Sequence, residues 1–270
     1  MIPTLPGLLV IALYLLACAL LMARLLQPSA AGTQQFNYAP IVGAASVLIH
    51  IGILYPVILT PAGLNLGFFQ AASLIMLLIA LLIVLATAFE PVDNLGIAVF
   101  PLAAMSIALL LAYPEQHIVT SAAASWQLDT HILLSLLAYS TLGLAALQAV
   151  LLAIQDNHLR NRHPGGFIRS LPPLQTMEVL LFQMIGIGFA LLTLSLVTGV
   201  LFLEDIFAQH LVHKTVLSIA AWLVFAVLLW GRWRFGWRGR VAIRWTIGGF
   251  IFLMLAYFGS KFVLELILER

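Results

Sequence analysis

Residues 66–88 read LGFFQAASLIMLLIALLIVLATA and contain no charged side chain. A helix of about 20 apolar residues crosses the roughly 30 Å hydrocarbon core of a bilayer. Inside lipid every backbone donor and acceptor must be satisfied within the segment, which favours a helix. This stretch therefore predicts a transmembrane helix.

Stretches of the same kind follow one another from Leu5 to Leu268. The 270 residues are 63% hydrophobic and 8% charged, whereas soluble domains are about one quarter charged. We therefore predict an all-α polytopic membrane protein, one integral membrane domain over residues 1–270 with about eight transmembrane helices. Polar breaks place the helices near residues 5–25, 39–59, 66–88, 95–113, 128–154, 178–203, 211–230 and 241–268, with Pro56 either ending the second helix or kinking it.

Arginines concentrate in two connections of the predicted bundle. The connection after helix five holds Arg160, Arg162 and Arg169, and the connection after helix seven holds Arg232, Arg234, Arg238, Arg240 and Arg244. Loops rich in Arg and Lys stay on the cytoplasmic side, so both connections are predicted to lie inside and both termini in the periplasm. The net charge of +2 is thus a topology signal, and no nucleic-acid partner is predicted.

The sequence lacks the residues that several kinds of active site and metal site require. Cys18 is the single cysteine, so the chain can form neither an internal disulfide nor a cysteine metal cluster. We find no Ser/His/Asp arrangement and no phosphate-binding glycine loop. The adjacent acids Glu204 and Asp205 are interpreted as a solvated helix end. The sequence therefore predicts a protein that is not an enzyme.

Three histidines lie near the predicted outer ends of two helices. His131 opens helix five, and His210 and His213 open helix seven with a spacing that puts both on one helix face. Neutral imidazole is a good iron ligand, and the flat apolar ring of haem suits a crevice between helices. One interpretation is a non-covalent haem b site with His131 and His213 as axial ligands and His210 as the substitute for the second.

Three further residues belong to this predicted site. Trp126 precedes His131, and Lys214 and Lys261 lie towards the outer ends of their helices, where their charges suit the two propionates of haem. The alternative is that the histidines and lysines are interfacial residues that reach the headgroups and that Trp126 anchors the helix at the membrane surface.

His50 lies in the middle of helix two, where an ionisable side chain is costly. Three interpretations are open: a buried hydrogen-bonded histidine, a second haem ligand inside the membrane, or a relay group. The remaining histidines, His117, His158 and His163, are predicted to be exposed loop residues.

Two other functions compete with haem binding. A transporter or transporter accessory would use His50 as its polar site within the membrane. A structural partner subunit would instead use the arginine loops to dock a cytoplasmic protein. If the chain binds haem, its predicted partners are haem and membrane lipid.

Five segments, in this order and spacing, carry a family resemblance. They are HILLSLLAY (131–139), SLPPLQTME (170–178), HKTVLSIAAWLVFAVLL (213–229), GWRGR (236–240) and YFGSKFVLELIL (257–268). Over residues 66–268 the chain resembles the cytochrome c assembly proteins of the CcsA, CcmC and HemX kind, and especially the bacterial inner-membrane members of the YpjD type. The resemblance implies haem binding, with transport or presentation of haem on the outer face, and partners among other membrane or cytochrome c maturation proteins. It also places His131 at the position of the family's helix-opening histidine.

The sequence departs from the family pattern at two places. The stretch LFLEDIFAQHLVHK (201–214) lacks the tryptophan motif of members that present haem. Near the chain end, Lys261 and Glu265 stand where other members place a second outer histidine. The resemblance therefore implies haem binding more directly than haem delivery to an apocytochrome.

Overall fold

The computed structural model describes residues 4–26, 38–60, 63–90, 92–113, 118–120, 126–161, 171–202 and 209–259. Within these ranges eight helices are long and apolar enough to cross a membrane, in agreement with the predicted number. Their α-helical parts are α1 (Thr4–Leu26), α2 (Ala39–Ile58), α3 (Phe68–Ala86), α4 (Gly96–Ala112), α5 (Trp126–Arg160), α6 (Leu174–Phe202), α7 (Gln209–Phe235) and α8 (Arg240–Met254). A 3-10 turn (Asp93–Leu95) precedes α4 and belongs to the same span. A π turn (Leu255–Gly259) continues α8. The orientation of the bundle stays a prediction.

Two helices extend further than predicted. Helix five was expected to end at residue 154 and helix seven at residue 230, whereas α5 runs to Arg160 and α7 to Phe235. Arg160 therefore lies in the last turn of α5, and Arg232 and Arg234 lie in the last turn of α7. Arg240 and Arg244 lie in α8, so these five arginines are not in the connections where they were predicted. Basic side chains are favourable near a helix C-terminus and reach water along their flexible stems, so the helix continues past its apolar stretch.

Prolines explain two other boundaries. Pro56 lies inside α2, which ends two residues later at Ile58. Pro172 and Pro173 directly precede α6, which starts at Leu174 and not at the predicted residue 178. Proline lacks a backbone N–H and is tolerated before or at the start of a helix but disrupts its interior, so the two prolines mark where α6 begins.

A small antiparallel sheet was not predicted. It consists of β1 (Leu59–Thr60), β2 (Gly63–Asn65) and β3 (Ile118–Thr120), in the order β1-β2-β3. Leu59 pairs with Leu64, and Leu64 pairs with Val119. Strands of two or three residues are too short to show the alternating pattern by which a strand is recognised.

The helices separate into two compact units. In unit 1, which contains α1–α4 and the strands, α1 and α3 each pack against both α2 and α4. Tyr14 of α1 is fully buried and stacks on Phe100 of α4, with 5.8 Å between ring centroids. Gly43 of α2 makes room for this pair, because a Cβ there would lie 2.8 Å from Cζ of Phe100. Small residues allow such close helix packing in membranes.

Unit 2 contains α5–α8, in which α5 and α7 each pack against both α6 and α8. The side-chain amide of Gln148 joins α5 to α6 by donating to the Met177 carbonyl at 3.0 Å. The indole N–H of Trp222 joins α7 to α6 by donating to the Thr193 hydroxyl at 2.9 Å. Because each packs on the same two neighbours, α5 and α7 occupy opposite corners of the unit. We call the end of unit 2 that carries Trp126 the outer end.

Candidate functional site

His131 lies in the second turn of α5, with its ring directed at α6. Its Nδ1 is 2.9 Å from the carbonyl oxygen of Ser195 and 3.2 Å from the hydroxyl oxygen of Thr198. A carbonyl oxygen only accepts hydrogen bonds, so Nδ1 carries the proton in this contact. In a neutral imidazole the other nitrogen, Nε2, then holds an unshared electron pair and is ready to bind a metal.

The outer end of α6 fixes the position of this ring. The Ser135 hydroxyl lies 2.7 Å from the Ser195 hydroxyl and donates to the carbonyl of His131 at 2.7 Å. A Cβ at residue 199 would lie 3.1 Å from Cε1 of the imidazole, closer than ordinary van der Waals contact, so Gly199 lets the ring lie against the helix. Ser195, Thr198 and Gly199 were not predicted as site residues. The sequence does not single them out, because the same helix also carries Gln183, Gly188 and Thr193.

The outer end of unit 2 is less tightly packed than the rest of the unit. In α5 the first buried residue is Leu136, and among the described side chains of α7 it is Ala221. Deeper in the unit, Phe225 and Leu228 are fully buried. The helix segments that carry His131 and His213 therefore have partly exposed apolar side chains. Side chains of this kind line the binding sites of flat apolar ligands.

His213 lies on α7, at the corner of unit 2 opposite α5, and is exposed. The Trp222–Thr193 bond sets the relative height of α6 and α7. An α-helix rises 1.5 Å per residue, and α6 and α7 run antiparallel. His213 therefore lies roughly 7 Å nearer the outer end than residues 195–199 of α6, which hold His131, and His210 lies roughly 12 Å nearer the outer end. Of the two, His213 is thus nearer in height to His131. The side chain of His210 lies outside the described residues.

The remaining predicted site residues are Trp126, Lys214 and Lys261. Trp126 is the first residue of α5, is 68% exposed, and meets Phe202 edge-to-face with 5.9 Å between ring centroids. Lys214 is half-buried on α7. Lys261 lies outside the described residues. The position of Trp126 at the outer end suits a membrane-surface anchor as well as the edge of a ligand site.

His50 has the surroundings of a buried hydrogen-bonded histidine. Its ring is fully buried, and both nitrogens have protein partners: the hydroxyls of Tyr14, at 3.2 Å from Nδ1, and Ser73, at 2.9 Å from Nε2. The geometry therefore gives no support to a metal ligand or a transport site at this position. His158 is exposed, as predicted, but it lies in the last turn of α5 and not in a loop. His117 and His163 lie outside the described residues.

Comparisons with known proteins cover almost the whole chain. Residues 38–268 match the family described as "Cytochrome C assembly protein", a match that starts before the predicted residue 66 and includes α2. The inner membrane protein YpjD of Escherichia coli (strain K12) is 35% identical over 264 residues, which are 97% of this chain and 98% of that protein. No solved structure matches the chain.

More distant relatives match only part of the chain. Protein HemX of Brevibacillus brevis is 24% identical over 52% of this chain and 53% of HemX. The cytochrome c biogenesis protein CcsA of Chlamydomonas reinhardtii is 25% identical over 53% of this chain and 39% of CcsA. These matches extend the similarity to proteins from other groups of organisms.

Proposed function

This chain belongs to the cytochrome c assembly protein family, and from that membership we propose that it is a haem-binding protein of the bacterial inner membrane. It binds haem b without a covalent bond at the outer end of unit 2. His131 supplies one axial ligand through Nε2, and His213 supplies the other. The inner-membrane location follows from its similarity to the inner membrane protein YpjD, which matches 97% of the chain.

The hydrogen bond from Nδ1 of His131 to the Ser195 carbonyl carries this proposal. Histidines that bind metals almost always donate their second ring N–H to a carbonyl, carboxylate or water, which fixes the tautomer and the direction of the free nitrogen. Here the donor nitrogen faces α6, so Nε2 is the atom left to bind iron. A histidine that only anchored the helix at the membrane surface would not need this fixed tautomer.

The packing of unit 2 supports the second ligand. His131 and His213 lie on helices at opposite corners of the unit, so their side chains can approach one ligand from two sides. No side chain of α5 before Leu136 and no described side chain of α7 before Ala221 is buried, and this leaves apolar surface for the porphyrin at the outer end. Lys214 and Lys261 neutralise the propionates.

The proposed role is to hold haem, and no catalytic step is assigned to the chain. Its own residues bind the cofactor, orient one imidazole and exclude water from the deeper part of the bundle. The partners on this proposal are haem and other cytochrome c maturation proteins. The tryptophan motif associated with haem presentation is absent from residues 201–214, so the proposal ends at binding.

The test is the absorption spectrum of the protein purified in detergent after haem supplementation. The expected result is a Soret band that is lost in His131→Ala and retained in His158→Ala. His158 is the matched control, because it lies near the opposite end of the same helix and is exposed. A protein without a Soret band, or a band unchanged in the His131→Ala, His213→Ala double variant, would refute the proposal.

A further inference from the structure

The connection between α7 and α8 is a turn held in a defined position. We call residues 230–244 the arginine turn. Gly236 and Gly239 have φ angles of 68° and 57°, which residues other than glycine rarely adopt. The backbone N–H of Gly239 donates to the Glu178 carboxylate of α6, and Arg240 forms an ion pair of 3.1 Å with Asp156 of α5.

A third contact fixes the end of α7. The guanidinium of Arg232 lies 4.5 Å from the centre of the Phe182 ring and donates to the Trp237 carbonyl at 3.1 Å. Cation–π contact of this kind adds to the hydrogen bond. The arginine turn is therefore attached to both α5 and α6, and two of its five arginines are used in these attachments.

The other three arginines have no protein counter-charge within the described residues. Arg234, Arg238 and Arg244 are exposed, and no described side chain pairs with them. The sequence contains no acidic residue between Asp156 and Glu178 or between Asp205 and Glu265. The two nearby carboxylates, of Glu178 and Asp156, already bind Gly239 and Arg240. The arginine turn therefore carries positive charge that no described acidic side chain neutralises.

Exposed aromatic rings accompany these charges. Trp233 is 83% exposed and Phe235 is 61% exposed, although both follow directly on the apolar part of α7. The turn lies where two membrane-spanning helices end, which is the depth of the lipid headgroups. Tryptophan is enriched at this depth, and arginine there attracts anionic lipid. A small anion in water would not need exposed aromatic rings beside it.

We propose that the arginine turn binds the phosphate of an anionic phospholipid of the phosphatidylglycerol or cardiolipin type. Arg234, Arg238 and Arg244 contact the headgroup, and Trp233 and Phe235 lie against the glycerol and upper acyl chains. Planar guanidinium groups suit phosphate oxygens because each offers paired N–H donors. The site is independent of haem binding, since it lies at the opposite end of unit 2.

The test is native mass spectrometry of the full chain in detergent with equal amounts of phosphatidylglycerol and phosphatidylethanolamine. Selective retention of phosphatidylglycerol is expected, and each of Arg234→Gln, Arg238→Gln and Arg244→Gln should weaken it by about fivefold. Arg160→Gln is the control, because it removes the same charge from an exposed arginine at the end of α5. Thermal unfolding of each variant checks that it folds.

Four outcomes would overturn the lipid site. The first is equal retention of the two lipids, and the second is an equal loss in Arg160→Gln. The third is displacement of phosphatidylglycerol by millimolar inorganic phosphate, which would identify a site for a free anion. The fourth is full retention of phosphatidylglycerol by all three arginine variants, which would favour a surface for a cytoplasmic protein over a lipid site.

Discussion

The phenol oxygen of Tyr14 lies 3.2 Å from Nδ1 of His50. The other nitrogen of the same ring lies 2.9 Å from the hydroxyl oxygen of Ser73, and all three side chains are fully buried. A neutral imidazole has one donor and one acceptor nitrogen, so both are satisfied. This hydrogen-bonded chain joins α1, α2 and α3 in the middle of unit 1.

Removing one bond of this chain should weaken unit 1. Tyr14→Phe keeps the ring but leaves Nδ1 of His50 without its partner, and polar contacts between membrane helices contribute about 0.6 kcal/mol on average and up to about 1.7 kcal/mol. We expect a lower thermal unfolding midpoint in detergent, with a larger drop for His50→Leu, which leaves two buried hydroxyls unpaired. Tyr55→Phe is the control, because Tyr55 is 64% exposed. Equal midpoints for the Tyr14 and Tyr55 variants would contradict a stabilising role.

Gly43 should be intolerant of a side chain. A Cβ at this position would lie 2.8 Å from the Phe100 ring, whose stacking on Tyr14 fills the core of unit 1. Overpacking of a filled core costs about 1–3 kcal/mol, so Gly43→Leu should lower the unfolding midpoint clearly.

The control for this variant lies on the same helix. Gly52 has no atom within 4 Å of its hypothetical Cβ, so Gly52→Leu should leave the midpoint nearly unchanged. Similar losses in both variants would mean that helix propensity and not the contact with Phe100 determines the result.

The fold was largely predictable because lipid imposes a simple rule on the backbone. An uncharged run such as residues 66–88 has to be a helix, and the number of such runs gave the number of spans. Helix ends were less predictable, as at Phe235, because arginines and tryptophans are compatible both with a helix and with a connection. The division into two units depends on which apolar faces meet, and a uniformly apolar helix carries little information about that.

The candidate site was predictable only in part. His131 stood out because imidazoles are costly near a membrane, whereas Ser195 contributes a backbone carbonyl, which every residue has. Gly199 acts by lacking a side chain, and its contact depends on how α6 packs on α5. The buried hydrogen-bond partners of His50 could not be predicted from the sequence either, because Tyr14 and Ser73 lie far from it along the chain.

Gly199 should control haem binding through the position of His131. A larger side chain at residue 199 has to push the imidazole away from α6 and disturb its bond to the Ser195 carbonyl. Loss of such a supporting contact typically reduces metal affinity by about 10–100-fold, and we expect a loss in this range for Gly199→Leu in a haem titration.

Gly186→Leu provides the comparison for the Gly199 variant. It introduces the same side chain into α6 at a position where a Cβ would have no atom within 4 Å. Its haem affinity should match that of the unmodified protein. A Gly199→Leu protein that binds haem equally well would show that the ring does not need its contact with α6.

The two histidines of α7 should differ in their effect on bound haem. His213 lies nearer in height to His131 than His210 does, so only His213 is expected to complete the axial pair. His213→Ala should convert a six-coordinate, low-spin spectrum to a five-coordinate, high-spin one, because iron then retains a single imidazole. His210→Ala should leave the spectrum as it is. A change to high spin in His210→Ala and none in His213→Ala would contradict this assignment. It would mean that α7 does not have the height relative to α6 that the Trp222–Thr193 bond sets.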